Sequence, residues 1–237
     1  WDDQENRLIM APVPLAGTRM SGSGTFSVVT KGPLTNLAAA SQANGFFGAY
    51  LRFSGFDAIV IQGAAKDWKY LYIHGGTAEL RDAGHLLGKD AWETDDLIKQ
   101  ELGFRARGAS VFSIGPAGEN LVKFAGVIGD KGHMAGTNGT GAVMGSKKLK
   151  AIVAARGRGE VMVKERRRLS AIAKASFEEL VQNDPLGARI YRWGTAGDYD
   201  GAEARILGGF LPVKNLTTNL FPQARDFSGQ FMRERFQ

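Results

Sequence analysis

Cysteine is absent from the 237 residues. That excludes a disulfide scaffold, a thiolate nucleophile and any cysteine-ligated cluster within this stretch. No apolar run approaches the roughly 18 residues of a membrane helix. No basic-then-apolar leader opens the chain. The expectation is a soluble, cytoplasmic protein with no membrane partner. The opening WDDQENRLIM is neither an initiator methionine nor a targeting sequence, so the chain reads as an internal stretch of something longer. Histidine is scarce. His74, His85 and His133 are scattered, and none has metal-ligand spacing to a partner. His74 reads as a hairpin-edge residue and His85 as a hydrogen-bonded structural one. The sequence also offers no paired carboxylates and no Ser/His/Asp arrangement, so it names no catalytic residue. Asp82, Asp90, Glu93, Asp95 and Asp96 cluster near a helix start, where capping explains them better than acid–base chemistry.

Charge of one sign is not dominant. The net charge is +6, and the excess is local: Arg105 and Arg107, then Lys147, Lys148 and Lys150, then Arg156, Arg158 and residues 164–168. A nucleic-acid footprint has similar clusters. Here no aromatic side chains interleave to make a stacking platform. The clusters therefore read as solvated surface plus anion sites, with no nucleic-acid partner.

What the chain has in abundance is glycine, 32 residues, roughly twice the usual share. This points to tight turns and a loop-built site. The densest stretch, GHMAGTNGTGAVMGSKKLKAIV (132–153), leads through a predicted short helix (141–147) into a predicted buried strand (149–154). Such a loop allows backbone N–H groups close to a ligand, and the helix start suits a phosphate. His133, as imidazolium, would add a donor to an anion. GxGxxxG at Gly139, Gly141 and Gly145 resembles a dinucleotide loop but does not directly follow a strand in a βαβ unit. The P-loop pattern fails at Ser146-Lys147-Lys148. A tight turn packed on a sheet is the competing reading of these glycines.

The same plan occurs earlier. Gly48-Ala49 and Gly141-Ala142 each stand ten residues before a matching apolar tripeptide, Ala58-Ile59-Val60 and Ala151-Ile152-Val153. The earlier unit (42–61) again predicts a glycine turn, a short helix (47–53) and a strand. Two copies of one unit predict a duplicated domain with two phosphate-sized sites about a pseudo-twofold axis. Gln42 and Asn44, just before the first helix, either cap it or bond a heterocycle.

Elsewhere strands are predicted at 8–11, 26–30, 57–62, 109–114 and 121–128. A hairpin is predicted at 68–81 around Gly75-Gly76. Asp90 and Glu93 fit a capping box for a helix ending at Gly103. After Gly159 the texture changes. A helical stripe covers 163–183 and stops at Asn183-Asp184-Pro185, a second helix is predicted at 195–207, and 213–227 is polar and irregular. The fold class is therefore α+β, mixed sheets with internal duplication over 1–160, followed by the beginning of a helical domain over 161–237.

These segments together resemble the tungsten-containing aldehyde ferredoxin oxidoreductase family. The stretches that carry the resemblance are VVTKGPLT (28–35), GFFGAYLRFSGFDAIVIQG (45–63), SIGPAGENLVKFAGVI (113–128) and AGTNGTGAVMGSKKLKAI (135–152). RDAGHLLGK (81–89) and LPVKN (211–215) add to them. The resemblance implies a base domain on which a tungsten bis-pyranopterin sits, with a Mg2+ ion joining the two pterin phosphates. It places pterin contacts at Thr25, Gln42, Asn44 and Gly45 in the first half, and at His133, Met134, Gly136 and Thr137 in the second. The magnesium contacts would be the main-chain carbonyls of Gln42 and Met134. Well-known members carry arginine where this chain has Thr25, His133 and Thr137, so backbone N–H groups would take a larger share of the grip. The resemblance further implies oxidation of an aldehyde substrate and electron transfer to ferredoxin or a partner subunit. It also implies an oligomeric full-length protein with a 4Fe-4S cluster whose cysteines lie beyond Gln237. Alternatives are an aromatic acyl-CoA ring reductase subunit of the same family, and a non-catalytic module that has lost the cofactor.

Overall fold

The structure is a computed structural model and describes residues 1–194, 213–219, 221–223, 226 and 228–236. The helix expected over 195–207 lies outside them, as do the first two residues of the 211–215 motif. The chain divides into two compact units, Trp1–Lys164 and Glu165–Gln237.

The first unit holds two sheets. One is four-stranded, in the order β3-β2-β1-β4, with β1 Leu8–Pro12, β2 Phe26–Lys31, β3 Ala38–Ala43 and β4 Ile59–Ile61. The other is six-stranded, in the order β6-β5-β10-β7-β8-β9. Its strands are β5 Lys69–His74, β6 Thr77–Asp82, β7 Ala109–Ser113, β8 Val127–Gly129, β9 His133–Ala135 and β10 Leu149–Ala155. Among the described residues the β10–β5 pairing is parallel, and the other pairings along the two sheets are antiparallel.

The duplication is visible in this order. β9-β8-β7-β10 retraces β3-β2-β1-β4. A seven-residue helix precedes the last strand of each copy, α1 Phe47–Phe53 and α4 Thr140–Ser146. The register makes the equivalence residue by residue. In one sheet Ile59, Met10, Val28 and Ser41 form a cross-strand row. In the other the row is Ile152, Phe112, Gly129 and His133. Ser41 therefore corresponds to His133, and Gln42 to Met134. The β5–β6 hairpin is an addition to the second copy alone.

One core seals the copies together. Met10, Phe26, Val28, Phe47, Leu51, Phe112, Val143 and Ile152 are buried in a single cluster. Phe26 lies 4.8 Å from Phe47 and 4.7 Å from Phe112, ring centre to centre. Edge and tilted contacts of this kind add to the area term. A second cluster, with Tyr70, Leu86, Ile98, Val111, Ala151 and Val153, fills the opposite face of the larger sheet. It packs under α2 Ala91–Glu101. β10 alternates between the two clusters, which is why all seven of its residues are buried and why it reads as an unbroken apolar run. α2 begins with the predicted capping box: Asp90 accepts the Glu93 amide at 2.8 Å, and Glu93 accepts the Asp90 amide at 3.1 Å.

Several expectations change. The predicted strand at 121–128 is mostly turn: α3 Pro116–Glu119 ends at Asn120, Leu121 takes a φ of 58°, and strand forms only at β8. The predicted buried strand at 57–62 is the short edge strand β4, whose Val60 is 59% exposed. The lysines expected on a solvated surface turn inward. Lys150 is fully buried, bonding Glu119 and the carbonyls of Ile114 and Lys89. Lys147 is 4% exposed and donates to the carbonyls of Asn6 and Gly63; its burial lowers its pKa.

In the second unit α5 Arg166–Glu178 continues through a π-helical turn, Glu179–Asn183, and stops at Asp184. Asp184 caps α6 Pro185–Trp193 by accepting the Leu186 amide at 3.0 Å. Phe177 and Tyr191 meet edge to face at 5.0 Å. A further helix covers Gly229–Phe236.

Candidate functional site

The candidate residues sit on and just after the edge strands β3 and β9, which lie against each other. The alternation of β3 turns Ala39, Ser41 and Ala43 inward and leaves Gln42 and then Asn44 exposed. On the other side His133, Met134 and Thr137 are exposed while Ala135 is buried. Gln42 and Met134 thus take matching places on the two edges.

The loops after these strands interlock. The Ser41 hydroxyl accepts the Thr137 amide at 3.1 Å and pairs with the Thr137 hydroxyl at 3.0 Å. The Asn138 side chain donates to the Ala40 carbonyl at 2.8 Å. Reciprocally, a Cβ added at Gly45 would lie 2.5 Å from Asp130 Oδ2 and 3.1 Å from the His133 ring. The Ser41–Thr137 contact therefore has a dyad-related partner in His133–Gly45. Thr25 belongs to the same group: its hydroxyl donates to Asn44 Oδ1 at 2.7 Å. Gln42 makes only a long contact to Ser27, 3.4 Å. α1 begins at Phe46 with no side-chain cap, so the capping reading of Gln42 and Asn44 does not hold.

The glycines divide into two kinds. Gly139, Gly141 and Gly145 are buried. A Cβ at Gly141 would meet the Ala125 carbonyl at 2.8 Å and the Gly126 carbonyl closer still. Gly139 abuts the Lys123 carbonyl and Gly145 the Gly118 carbonyl. The Gly141 amide already donates to Ala125, 2.8 Å. The start of α4 is therefore packed on a neighbouring loop, and its Gly141 amide is already engaged. Gly48, its counterpart, packs on the Gly24 and Thr25 carbonyls in the same way, 2.9 and 2.8 Å from an added Cβ. The exposed residues just ahead of α4 are His133, Met134, Thr137 and Asn138.

Three residues here carry no signal in the sequence. They are Ser41, Asn138 and Asp130. The Asp130 Oδ2 accepts the Phe46 amide at 2.7 Å and the hydroxyl of buried Ser110 at 2.9 Å. Burial raises the Asp130 carboxyl above its ordinary value, against the pull of these two hydrogen bonds. Beyond Phe46 and Asp130 lies a cleft of about 440 Å³, lined also by Asp95, Lys99, Arg107 and Lys131. Its charges are largely paired: Lys99 clamps Asp95 through both oxygens, 2.8 and 2.9 Å, and Lys131 bonds Asp96. Among the described residues no group of three or more His, Asp or Glu could hold a metal ion, and no helix is long and apolar enough to cross a membrane.

Comparison with known proteins gives a consistent answer. A family model described as the N-terminal domain of aldehyde ferredoxin oxidoreductase matches residues 1–156. A tungsten-containing aldehyde ferredoxin oxidoreductase of Pyrococcus furiosus is 41% identical over 98% of the chain, and that of Thermococcus kodakarensis is 40% identical over the same share. The chain spans 37% of the length of each. An aliphatic sulfonate oxidoreductase WOR-like subunit of Pyrococcus furiosus is 34% identical over 83% of the chain and 32% of its own length. Among solved structures, the BamBC active-site complex of benzoyl coenzyme A reductase with 1,5-dienoyl-CoA superposes with a TM-score of 0.74. It is 36% identical, and the match covers 78% of this chain and 28% of that one.

Proposed function

The chain belongs to the aldehyde ferredoxin oxidoreductase family, and on that premise we propose that it is the cofactor-bearing base of a tungsten bis-pyranopterin enzyme that oxidises aldehydes to carboxylic acids. The observation that carries this reading is the meeting of two register-equivalent loops, 41–46 and 133–138, at the contact of β3 with β9. A ligand with two like halves needs two like cradles. The exposed groups fit such a ligand. Gln42, Asn44 and His133 offer donors and acceptors for a polar heterocycle. Gly45 and Gly136 keep the backbone open where a Cβ would strike Asp130 or Met134.

In this proposal Thr25, Gln42, Asn44 and Gly45 hold one pterin, and His133, Met134, Gly136 and Thr137 the other. The main-chain carbonyls of Gln42 and Met134 take a Mg2+ ion between the phosphates, where hard oxygen ligands suit it. The bound metal supplies the two-electron redox chemistry, and the protein supplies binding and orientation. This stretch contributes no cysteine, so the 4Fe-4S cluster, the route to ferredoxin or a partner subunit, and the substrate pocket belong to other parts of the full-length protein. We assign that protein to the cytoplasm, as an oligomer.

The test is elemental and fluorimetric analysis of the full-length protein. Tungsten or molybdenum with two pterins per chain, and aldehyde-dependent reduction of a viologen dye, are expected. An intact protein with an iron–sulfur cluster but neither metal nor pterin would overturn the reading in favour of a non-catalytic module. A second reading, an aromatic acyl-CoA ring reductase subunit, is favoured by the likeness to the BamBC complex. Dye oxidation driven by an aromatic acyl-CoA, without aldehyde activity, would select it.

A further inference from the structure

From within its own repeat the Asn44–Phe46 turn is held by the Thr25 hydroxyl on Asn44 Oδ1 and by Gly24, which packs on the Gly45 carbonyl. Gly45 sits at φ 105°, a conformation that glycine leaves easily. Phe46, at the helix start, has no side-chain cap of its own. The Phe46 amide is held instead from the other repeat. Asp130 is seated in three successive positive-φ residues, at 46° with Lys131 at 54° and Gly132 at 148°. Such a turn persists where its surroundings over-determine it, and here they do. Ser110, fully buried on β7, bonds the Asp130 carboxylate at 2.9 Å, and Lys131 ties the turn to Asp96 on α2. The same oxygen that receives Ser110 receives the Phe46 amide at 2.7 Å. The carboxylate is thus a strut braced on the sheet and pressed against Gly45. In the opposite direction Ser41, only 3% exposed, braces the amide and hydroxyl of Thr137.

We propose that Asp130 is a positioning residue that fixes the first cradle from the second repeat, and that with Ser41 as its reciprocal it sets the separation of the two cradles. The identity of what the cradles hold rests on the function proposed above; the strut itself does not. Asp130 touches no reacting atom in this account. It acts through Phe46 and Gly45, and a carbonyl oxygen in the same place serves the same end.

The experiment uses the full-length protein with its cofactor, in wild-type form and as Asp130→Ala, Asp130→Asn and Ser41→Ala. Amide hydrogen exchange reads the Phe46 and Thr137 peptides, and tungsten plus pterin content reads the site. Loss of a hydrogen bond to a charged group predicts a rise of about tenfold to a hundredfold in Phe46 exchange for Asp130→Ala, with a parallel fall in cofactor content. Asp130→Asn keeps an acceptor oxygen and is expected to restore both to within about threefold, a rescue that generic destabilisation would not show. Ser41→Ala is expected to speed Thr137 exchange and leave Phe46 unchanged, and this single-hydroxyl change decides the reciprocal half even if Asp130→Ala fails to fold. Unchanged Phe46 exchange in Asp130→Ala overturns the strut. Faster exchange with full cofactor content overturns its role in cradle spacing. If the wild type itself holds neither metal nor pterin, the functional proposal fails and exchange alone decides the strut.

Discussion

Replacing either Gly48 or Gly141 by alanine separates packing from propensity. Both glycines lie inside seven-residue helices, where alanine alone would stabilise by about 0.8–1 kcal/mol. Packing opposes this. A Cβ at Gly48 would stand 2.8 and 2.9 Å from the Thr25 and Gly24 carbonyl oxygens, and real Cβ atoms essentially never come inside 3.0 Å. The obstacle is backbone, so no side chain can swing aside. Overpacking costs about 1–3 kcal/mol; against rigid backbone the upper half, about 2–3 kcal/mol, applies, which leaves Gly48→Ala destabilised by roughly 1–2 kcal/mol after the propensity gain. Gly141 is held harder. Its Cβ would meet the Gly126 carbonyl more closely, and its amide bonds the Ala125 carbonyl at 2.8 Å. Displacing the helix forfeits part of that bond, about 1 kcal/mol, so Gly141→Ala is expected to lose roughly 2–3 kcal/mol after the same propensity gain. The assay is urea unfolding followed by tryptophan fluorescence in a Trp193→Phe background, which leaves Trp1, Trp68 and Trp92 of the first unit as reporters. An alanine variant as stable as the parent at either site would refute the reasoning, and so would the reverse ranking.

Lys150→Met should destabilise the first unit by about 3–5 kcal/mol, because it leaves Glu119 and two buried carbonyls without their cation; urea unfolding checks it, and Lys150→Met combined with Glu119→Leu should recover part of the loss. Asp130 carries a raised carboxyl pKa, so between the unfolded value of 3.8 and that higher folded value the native state binds more protons. Stability of the wild type relative to Asp130→Asn should then rise as pH falls from neutral toward 3.8, measured as the difference in urea midpoints; a fall over that window would contradict the burial assigned to this group. Gln42→Ala and Met134→Ala should leave Mg2+ and cofactor content of the full-length protein within about threefold of wild type, since main-chain oxygens are the proposed ligands; loss of Mg2+ in either would move the ligand to the side chain.

The duplicated half of the fold was legible because glycine and apolar spacing repeat. Gly48 and Gly141 mark two helices whose bounds match expectation closely, and the hairpin and the Asp90–Glu93 box were read from local chemistry alone. β3 was not legible. Ala38–Ala43 has no β-branched or aromatic residue, and its strand character comes from pairing with β2. β9 was hidden inside the glycine-rich loop for a similar reason. At the start of α4 the density of glycine serves close helix–loop packing, the competing reading of these residues. The site residues on β3 and β9 became visible through resemblance, but the elements that join them did not. Asp130 and Ser41 act across the repeats, over a sequence distance no local pattern spans.

The two cradles are alike in backbone and unlike in charge. The Thr25 and Thr137 hydroxyls are each engaged by a neighbour, Asn44 and Ser41. His133 is the one titratable side chain among the eight candidate contacts. The Asp130 carboxylate lies directly behind the first cradle and has no equivalent in the second, where Ser41 does the bracing with a neutral hydroxyl. Two unit charges 4 Å apart repel by about 4 kcal/mol at an effective dielectric near 20. A phosphate drawn to the first cradle therefore meets an opposing field that the second does not impose, and neither loop supplies a guanidinium to offset it. In the proposed binding mode a cation carried with a two-phosphate ligand would offset that field. The main-chain carbonyls of Gln42 and Met134, matched by register on the two edge strands, are where the proposed Mg2+ would meet that need without demanding any particular side chain from either repeat.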